Sequence, residues 1–179
     1  MGDISIAIVP KISRYPDRQK KAQEILEWLT RAGIVASELT DCTLGNKGYA
    51  MGAGAASIVV EPSALPLDLI TNGLEIITER DIFHTGQLGL DVVECPACNE
   101  DIAGGELDFI DQWASGESDD LRCPHCDHTA EIHQFNFDVS WGFSDLGFIF
   151  WNWPEFNPAF IGEFSNRLAC ELDIVYSKI

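Results

Sequence analysis

Two short cysteine pairs are the residues whose type and spacing point most directly to chemistry. Cys95 and Cys98 lie in the motif CPAC, and Cys123 and Cys126 lie in CPHC, with 24 residues between the two motifs. A C-x-x-C turn directs two thiolates to one side, and two turns that face each other complete a tetrahedral zinc site. The pattern therefore predicts a four-cysteine zinc ribbon, although the linker is longer than the usual length of about 15 to 20 residues.

A redox dithiol of the thioredoxin type is the competing interpretation. That chemistry needs one C-x-x-C at the start of a helix, whereas this chain has two and neither precedes a clear amphipathic pattern. His125 and His128 could replace one ligand, but with four thiolates available we expect both to be turn residues. Cys42 and Cys170 have no partner at ligand spacing, so we expect them to be packing residues.

The predicted metal is structural rather than catalytic, because four cysteine ligands leave no open position for water. We expect it to hold together residues 92–132, which are rich in polar residues and form a predicted zinc-ribbon subdomain. This subdomain would be inserted into a single domain that spans residues 1–179.

The segments on either side of the ribbon predict an α+β fold. Strand patterns occur at 3–9, 34–39, 74–83, 133–139, 146–153 and 172–179. One helix is predicted over 16–33, with Pro16 at its start and Gly33 at its end, and a second begins at Pro158 behind the capping residue Asn157. We therefore expect a mixed β-sheet covered by two main helices, with the ribbon inserted between the two halves of the sheet.

A glycine-rich stretch over residues 44–57 raises the question of a phosphate-binding loop. It lacks the G-x-x-x-x-G-K-[ST] pattern, and G-x-G-x-x-G would need a glycine where Ser57 stands. We expect a structural turn at this place.

The net charge of -18 lies almost entirely in the last two thirds of the chain. Residues 1–60 hold seven basic and six acidic residues, whereas residues 61–179 hold four and 23. From Glu94 to Glu131 there are eleven carboxylates against one basic residue, Arg122. Such a surface repels nucleic acid and attracts cationic groups, so we expect a basic protein partner and no nucleic acid, unless the charge serves solubility alone.

An aromatic-rich segment is the other unusual feature. Residues 135–164 contain eleven of the eighteen aromatic residues, including Trp151 and Trp153. Strand alternation would place Phe148 and Phe150 opposite both tryptophans, so that both faces are apolar. Either the segment packs under the two helices, or it exposes a tryptophan-rich binding surface.

No segment has the pattern of an export signal or a membrane span. The apolar run ISIAIVP follows Asp3, precedes Lys11 and is much shorter than the roughly 20 residues that a span requires. We therefore expect a cytoplasmic protein without membrane contact. In that reducing compartment, six cysteines favour metal binding or burial over disulfides.

The paired CPxC motifs, the segment FIFWNWPEF and the closing ACELDIVYSKI resemble a group of uncharacterised bacterial proteins of similar length, some of which carry a transporter-ATPase label. The resemblance covers most of the chain and implies no established activity. A Walker A lysine loop is absent from this sequence, so its residues do not support the label.

These features predict a non-catalytic, zinc-containing acidic binding protein, and specifically an immunity-type inhibitor of a basic bacterial toxin or enzyme. The alternative is an enzyme with a structural zinc ribbon and a site near His84. In that case His84 would act as a base, with a nearby carboxylate from Glu75, Glu79 or Asp81 to orient it.

Overall fold

The computed structural model describes residues 2–90, 92–105 and 108–179 and confirms the predicted α+β class. The helices are α1 (Arg18–Arg31), α2 (Asp108–Ser115) and α3 (Pro158–Leu168). The strands are β1 (Ile4–Pro10), β2 (Val35–Thr40), β3 (Gly48–Met51), β4 (Leu74–Ile77), β5 (Asp81–Phe83), β6 (Val93–Glu94), β7 (Asp120–Arg122), β8 (Thr129–Glu131), β9 (Asn136–Phe137), β10 (Gly142–Ser144), β11 (Gly147–Trp151) and β12 (Leu172–Lys178).

The main sheet has six strands in the order β12-β1-β11-β4-β3-β2. It is mostly antiparallel, and a parallel bridge joins Gly86 to Lys178 at the end of β12. β1 and β2 follow each other in the sequence on either side of α1, yet β2 lies at the opposite edge of the sheet from β12. The first and last strands, β1 and β12, pair with each other, so Ile179 lies beside Asp3.

Helices α1 and α3 cover one face of this sheet, as the two predicted covering helices should. α1 contributes its buried apolar residues Ala22, Ile25 and Leu29. α3 begins at Pro158, with the Asn157 side chain accepting a hydrogen bond from the backbone N–H of Phe160 (2.9 Å). Together with strand residues they form the largest hydrophobic cluster, whose fully buried members from the sheet include Ile8, Leu74, Phe148 and Phe150.

The opposite face of the sheet is covered by a smaller cluster. Ala7, Val9 and Val175 pack there against Phe83 of the short strand β5. A Cβ atom at position 147 would overlap the Phe83 ring, so Gly147 is required for this close approach. The predicted strand at 74–83 is thus two strands, one inside the sheet and one lying on it.

The aromatic segment is core, which resolves its two alternatives. Trp151 is 6% exposed and Trp153 is fully buried. The expected alternation is wrong for Trp153, because β11 ends at Trp151 and Asn152 adopts a left-handed conformation (φ 61°). This turn carries Trp153 into the cluster of Phe150, where the two rings meet edge to face with centroids 5.2 Å apart.

The glycine-rich stretch has the expected structural role but more regularity than a turn. It contains β3 and a 3₁₀ helix (Ala53–Ser57). The N–H of Gly52 donates to the carbonyl of Ile34, and the N–H of Gly54 donates to the carbonyl of Gly33, both at 2.8 Å. These two glycine donors are therefore engaged within the fold and are not free to bind a phosphate.

Candidate metal centre

The two cysteine motifs fold into the same turn. The N–H of Asn99 donates to Cys95 O (2.9 Å), and the N–H of Asp127 donates to Cys123 O (3.0 Å). Both residues have left-handed backbone conformations, with φ of 60° and 61°. Asn and Asp tolerate this conformation better than other non-glycine residues, and a proline after the first cysteine fixes the entry to each turn, so the local sequence explains the match.

The turns face each other and bring the four thiols together. Sγ of Cys95 lies 3.7 Å from Sγ of Cys126, and Sγ of Cys98 lies 3.7 Å from Sγ of Cys123. All four sulfur atoms lie within 4.8 Å of one another. A tetrahedral ion with metal–sulfur bonds of about 2.3 Å would separate its sulfur ligands by about 3.8 Å. The cluster therefore has the dimensions of a tetrahedral metal site.

The thiols also perturb one another electrostatically. Burial opposes ionisation of Cys95, but the N–H groups of Cys98 and Ala97 and the adjacent thiols outweigh it and lower its pKa to about 6. The N–H of Glu100 favours the Cys98 thiolate, yet burial and the adjacent thiols raise the pKa of Cys98 to about 12. Four thiolates at this distance repel one another, so they cannot all be ionised unless a cation lies between them. A divalent metal ion would be such a cation.

The scaffold of the cluster is a small hydrophobic core of its own. Two strand pairs, β6 with β9 and β7 with β8, hold the turns. Helix α2 packs against them through Phe109 and Trp113. Cys95 and Cys123 are themselves fully buried members of this core. The sequence analysis does not predict helix α2, because its eight residues form only about two turns and give a periodic pattern too short to recognise.

Arginine side chains from outside the ribbon attach it to the main sheet. The Arg80 guanidinium stacks on the Trp113 ring, 3.8 Å from its centroid, and lies 2.7 Å from Asp119 Oδ1. Arg14 Nε lies 2.9 Å from the other carboxylate oxygen. Burial opposes ionisation of Asp119, but hydrogen bonds from Arg14 and Arg80 overcome it and lower its pKa. Asp119 therefore has a structural role, since it joins the ribbon to Arg14 and Arg80.

A second polar contact connects the same two regions. Trp113 Nε1 donates to Ser13 Oγ (3.0 Å), and Ser13 donates in turn to Glu131 Oε1 (2.7 Å). Sequence patterns do not reveal these pairs, because the partners are 100 or more residues apart. One feature of the sequence could have pointed to the Arg80 contact. Arg80 is one of only four basic residues in 61–179, so an ion pair with one of the many carboxylates there was to be expected.

Among the described residues, the group of potential metal ligands contains the four cysteines and none of the other sequence candidates. His125 and His128 are exposed turn residues. Cys42 is buried, and Cys170 is half-buried against the main core. Burial raises the pKa of the Cys170 thiol.

The alternative site is partly assembled. His84 and Asp81 line a cavity of about 190 Å³ together with Ser5, Trp151 and Ser177. Burial raises the pKa of Asp81. Glu75 is committed elsewhere, since its carboxylate accepts hydrogen bonds from the backbone of Asn46 (2.9 Å) and from Trp151 Nε1 (3.1 Å). His84 Nδ1 accepts from the N–H of Gly86 (3.0 Å), so no carboxylate orients this ring through that atom.

Comparison with known proteins adds no relative. No family model, no curated protein and no solved structure matches this chain. Within the described residues, no helix has the length and apolar character needed to cross a bilayer.

Proposed function

We propose that this protein is a non-catalytic acidic binding protein, in which Cys95, Cys98, Cys123 and Cys126 hold a structural zinc ion. The sulfur cluster supports the metal part of the proposal for two reasons. Its Sγ–Sγ distances of 3.7 Å suit a zinc ion, and four thiolates are soft ligands in the tetrahedral geometry that zinc prefers. With all four positions taken by protein, the ion would organise the ribbon and take no part in a reaction.

The distribution of free charge supports the binding part of the proposal. Asp119 and Glu131 are engaged by Arg14 and Ser13 in the loop that follows β1. Three other carboxylates are exposed on the ribbon: Asp108, Asp111 and Asp120. Asp108 and Asp111 occupy the first turn of α2 and lie on one side of it. A rigidly held set of carboxylates of this kind steers a cationic partner towards the ribbon.

The partner we propose is a basic protein, and the specific role is that of an immunity-type inhibitor of a basic bacterial toxin or enzyme. The lopsided acidity of the chain supports this role, since inhibitors of basic enzymes gain rapid association from complementary charge. Neutralisation of such a partner would need a rigid surface rather than a catalytic group.

The test combines capture with inhibition. The zinc-loaded protein is used as bait at low salt, and a captured basic protein must lose its activity or toxicity when the bait is added in equal amount. Association should slow as salt rises, because screening limits the field to about 8 Å at physiological ionic strength. A partner that is captured without being inhibited, or with an on-rate indifferent to salt, would contradict the proposal.

Charge-reversed variants locate the docking surface. Asp108→Lys with Asp111→Lys should lower the on-rate by about tenfold, whereas the matched pair Glu38→Lys with Asp41→Lys, which makes the same change of charge outside the ribbon, should have a much smaller effect. Equal effects of the two pairs would show that only the net charge matters and would remove the ribbon as the docking surface.

The cavity beside His84 favours a second candidate, an enzyme with a structural zinc ribbon. His84 would serve as a base there, with Asp81 as the adjacent carboxylate. The test is His84→Ala on any substrate that a screen identifies. Unchanged turnover in this variant would eliminate the second candidate.

A further inference from the structure

A second cavity lies where the ribbon meets the main sheet. It has a volume of about 190 Å³ and is bounded by Lys11 at the end of β1, Asp173 of β12 and the segment that leads from His133 to Phe143. Its apolar walls are Phe135, Phe137, Trp141 and Phe143. The cavity thus combines aromatic walls with three ionisable side chains.

His133 contributes a hydrogen-bond acceptor without a donor. Its Nδ1 lies 2.7 and 2.9 Å from the two carboxylate oxygens of Glu131, which fixes the proton of the neutral ring on Nδ1. The lone pair is then on Nε2. This atom is buried and has no hydrogen-bond partner among the described residues, and the side chain is only 8% exposed. A buried acceptor in this state is costly, and because His133 is one of the residues that line the cavity, a donor that enters and reaches Nε2 would remove this cost.

Asp173 contributes an incompletely compensated negative charge. Its side chain is 14% exposed, and Lys11 Nζ lies 3.7 Å from Oδ1, which is too long for a strong hydrogen bond. Burial raises the pKa of Asp173, and the opposing effect of the Lys11 charge does not cancel it. A second cation with hydrogen-bond donors would therefore be favourable here.

The aromatic walls favour the same kind of ligand. Phe137 and Trp141 both pack against Phe143, with ring centroids 5.3 and 6.4 Å apart. The faces of such rings attract cations, and the attraction increases when the cation is removed from water.

We propose that this cavity binds a cationic N–H group, either a primary ammonium or a guanidinium. Its charge would pair with Asp173, its N–H would donate to His133 Nε2, and its alkyl stem would lie against the aromatic walls. The group belongs either to a free amine or to a lysine or arginine side chain of the basic partner. The second source rests on the proposed function, whereas the first does not.

Calorimetry on the zinc-loaded full chain tests the site with n-butylammonium and n-butylguanidinium, and n-butanol is the neutral control. We expect at least one cation to bind about tenfold more tightly than n-butanol, because a charge-assisted hydrogen bond is stronger than one between neutral groups. Failure of both cations to bind, or equal binding of the alcohol, would overturn the proposal.

Variants assign the binding to the named groups. Asp173→Asn should weaken cation binding about tenfold or more, and the matched control Glu171→Gln, an exposed carboxylate two residues away, should change it less than about twofold. Lys11→Met should tighten binding, since it removes the competing cation. Unchanged affinity in Asp173→Asn would overturn the proposal, as would weaker binding in Lys11→Met with the fold intact by thermal unfolding.

A blocked lysine, Nα-acetyl-lysine methylamide, distinguishes the two sources. If it binds as well as n-butylammonium, the cavity accepts a partner's side chain; if only the small amine binds, the ligand is a free amine. Cation binding without any basic protein partner would contradict the proposed function and leave this site intact. A basic protein partner without cation binding would overturn the proposed cation site and leave the proposed function intact.

Discussion

The main sheet and the ribbon are two regions of one chain that are stabilised in different ways. The sheet buries Phe148, Phe150 and Trp153 completely beneath two helices, so the burial of apolar surface dominates its stability. The ribbon has a smaller core in which two of the buried residues are cysteines. It also carries the densest negative charge of the molecule. The comparison teaches that the ribbon has less apolar burial to hold it than the sheet has, and that its four clustered thiols and its contacts to the rest of the chain stand in the place of a larger core.

The largest expected effect is the loss of the metal from the ribbon. Cys123→Ser should reduce the zinc content from about one ion per chain to none, because structural zinc sites contribute roughly 10 to 16 kcal/mol to folding. Amide hydrogen exchange should then accelerate throughout the ribbon while the amides of β1 and β11 stay protected. Metal analysis and exchange measure the two results.

Cys170→Ser is the matched control, since Cys170 lies outside the cluster and undergoes the same chemical change. It should retain zinc and ribbon protection. A native protein without zinc, or one whose four thiols react freely in the folded state, would contradict the assignment of the ribbon to a metal.

Removal of a buried aromatic ring should have a different effect on stability in each of the two regions. Phe150→Ala should destabilise the whole chain by about 3 to 5 kcal/mol, since the Phe150 ring touches Trp153 and Phe156 in the main core. Phe109→Ala makes the same change in the ribbon and should reduce exchange protection there alone. Denaturant unfolding and residue-resolved exchange provide the measurements. Global unfolding caused equally by both variants would mean that the two regions fold as one cooperative unit.

The junction between the regions should respond to a smaller change. Asp119→Asn weakens the contacts to Arg14 and Arg80 and should destabilise ribbon docking by about 2 kcal/mol, the order of a hydrogen bond to a charged group. Asp120→Asn, at the exposed neighbouring position, should cost less than about 0.5 kcal/mol. Exchange rates of the ribbon amides report both. Equal effects of the two variants would show that Asp119 is not the attachment point.

The smallest expected effect is the pH dependence of that junction. The folded state lowers the pKa of Asp119, so its carboxylate contributes stability at a pH above the unfolded value of about 3.9, and this contribution is lost as the pH falls through the folded value. The stability difference between native protein and Asp119→Asn should therefore shrink below about pH 4. Because loss of zinc would itself disorder the ribbon, the two proteins are compared only over the pH range in which metal analysis shows that both retain zinc. A difference that is constant from pH 7 to pH 3 would exclude the linkage.

Local sequence determined the parts of the molecule that depend on short-range geometry. The two CPxC turns close on themselves because proline and a left-handed Asn or Asp stand at matching positions. The capped start of α3 and the apolar strands of the main sheet follow from the same kind of signal. The predicted α+β class and the close approach of the four cysteines are therefore both found in the structure.

Only the tertiary structure decided which distant residues meet. The pairing of Arg80 with Trp113 and Asp119, and the cavity between Asp173 and His133, join segments separated by tens of residues, and no periodicity encodes such contacts. Trp153 reached the core through the single left-handed turn at Asn152, which strand alternation does not predict. Long-range contacts of this kind are selected by the packing of whole elements, because burial is optimised over the complete core rather than over any one segment.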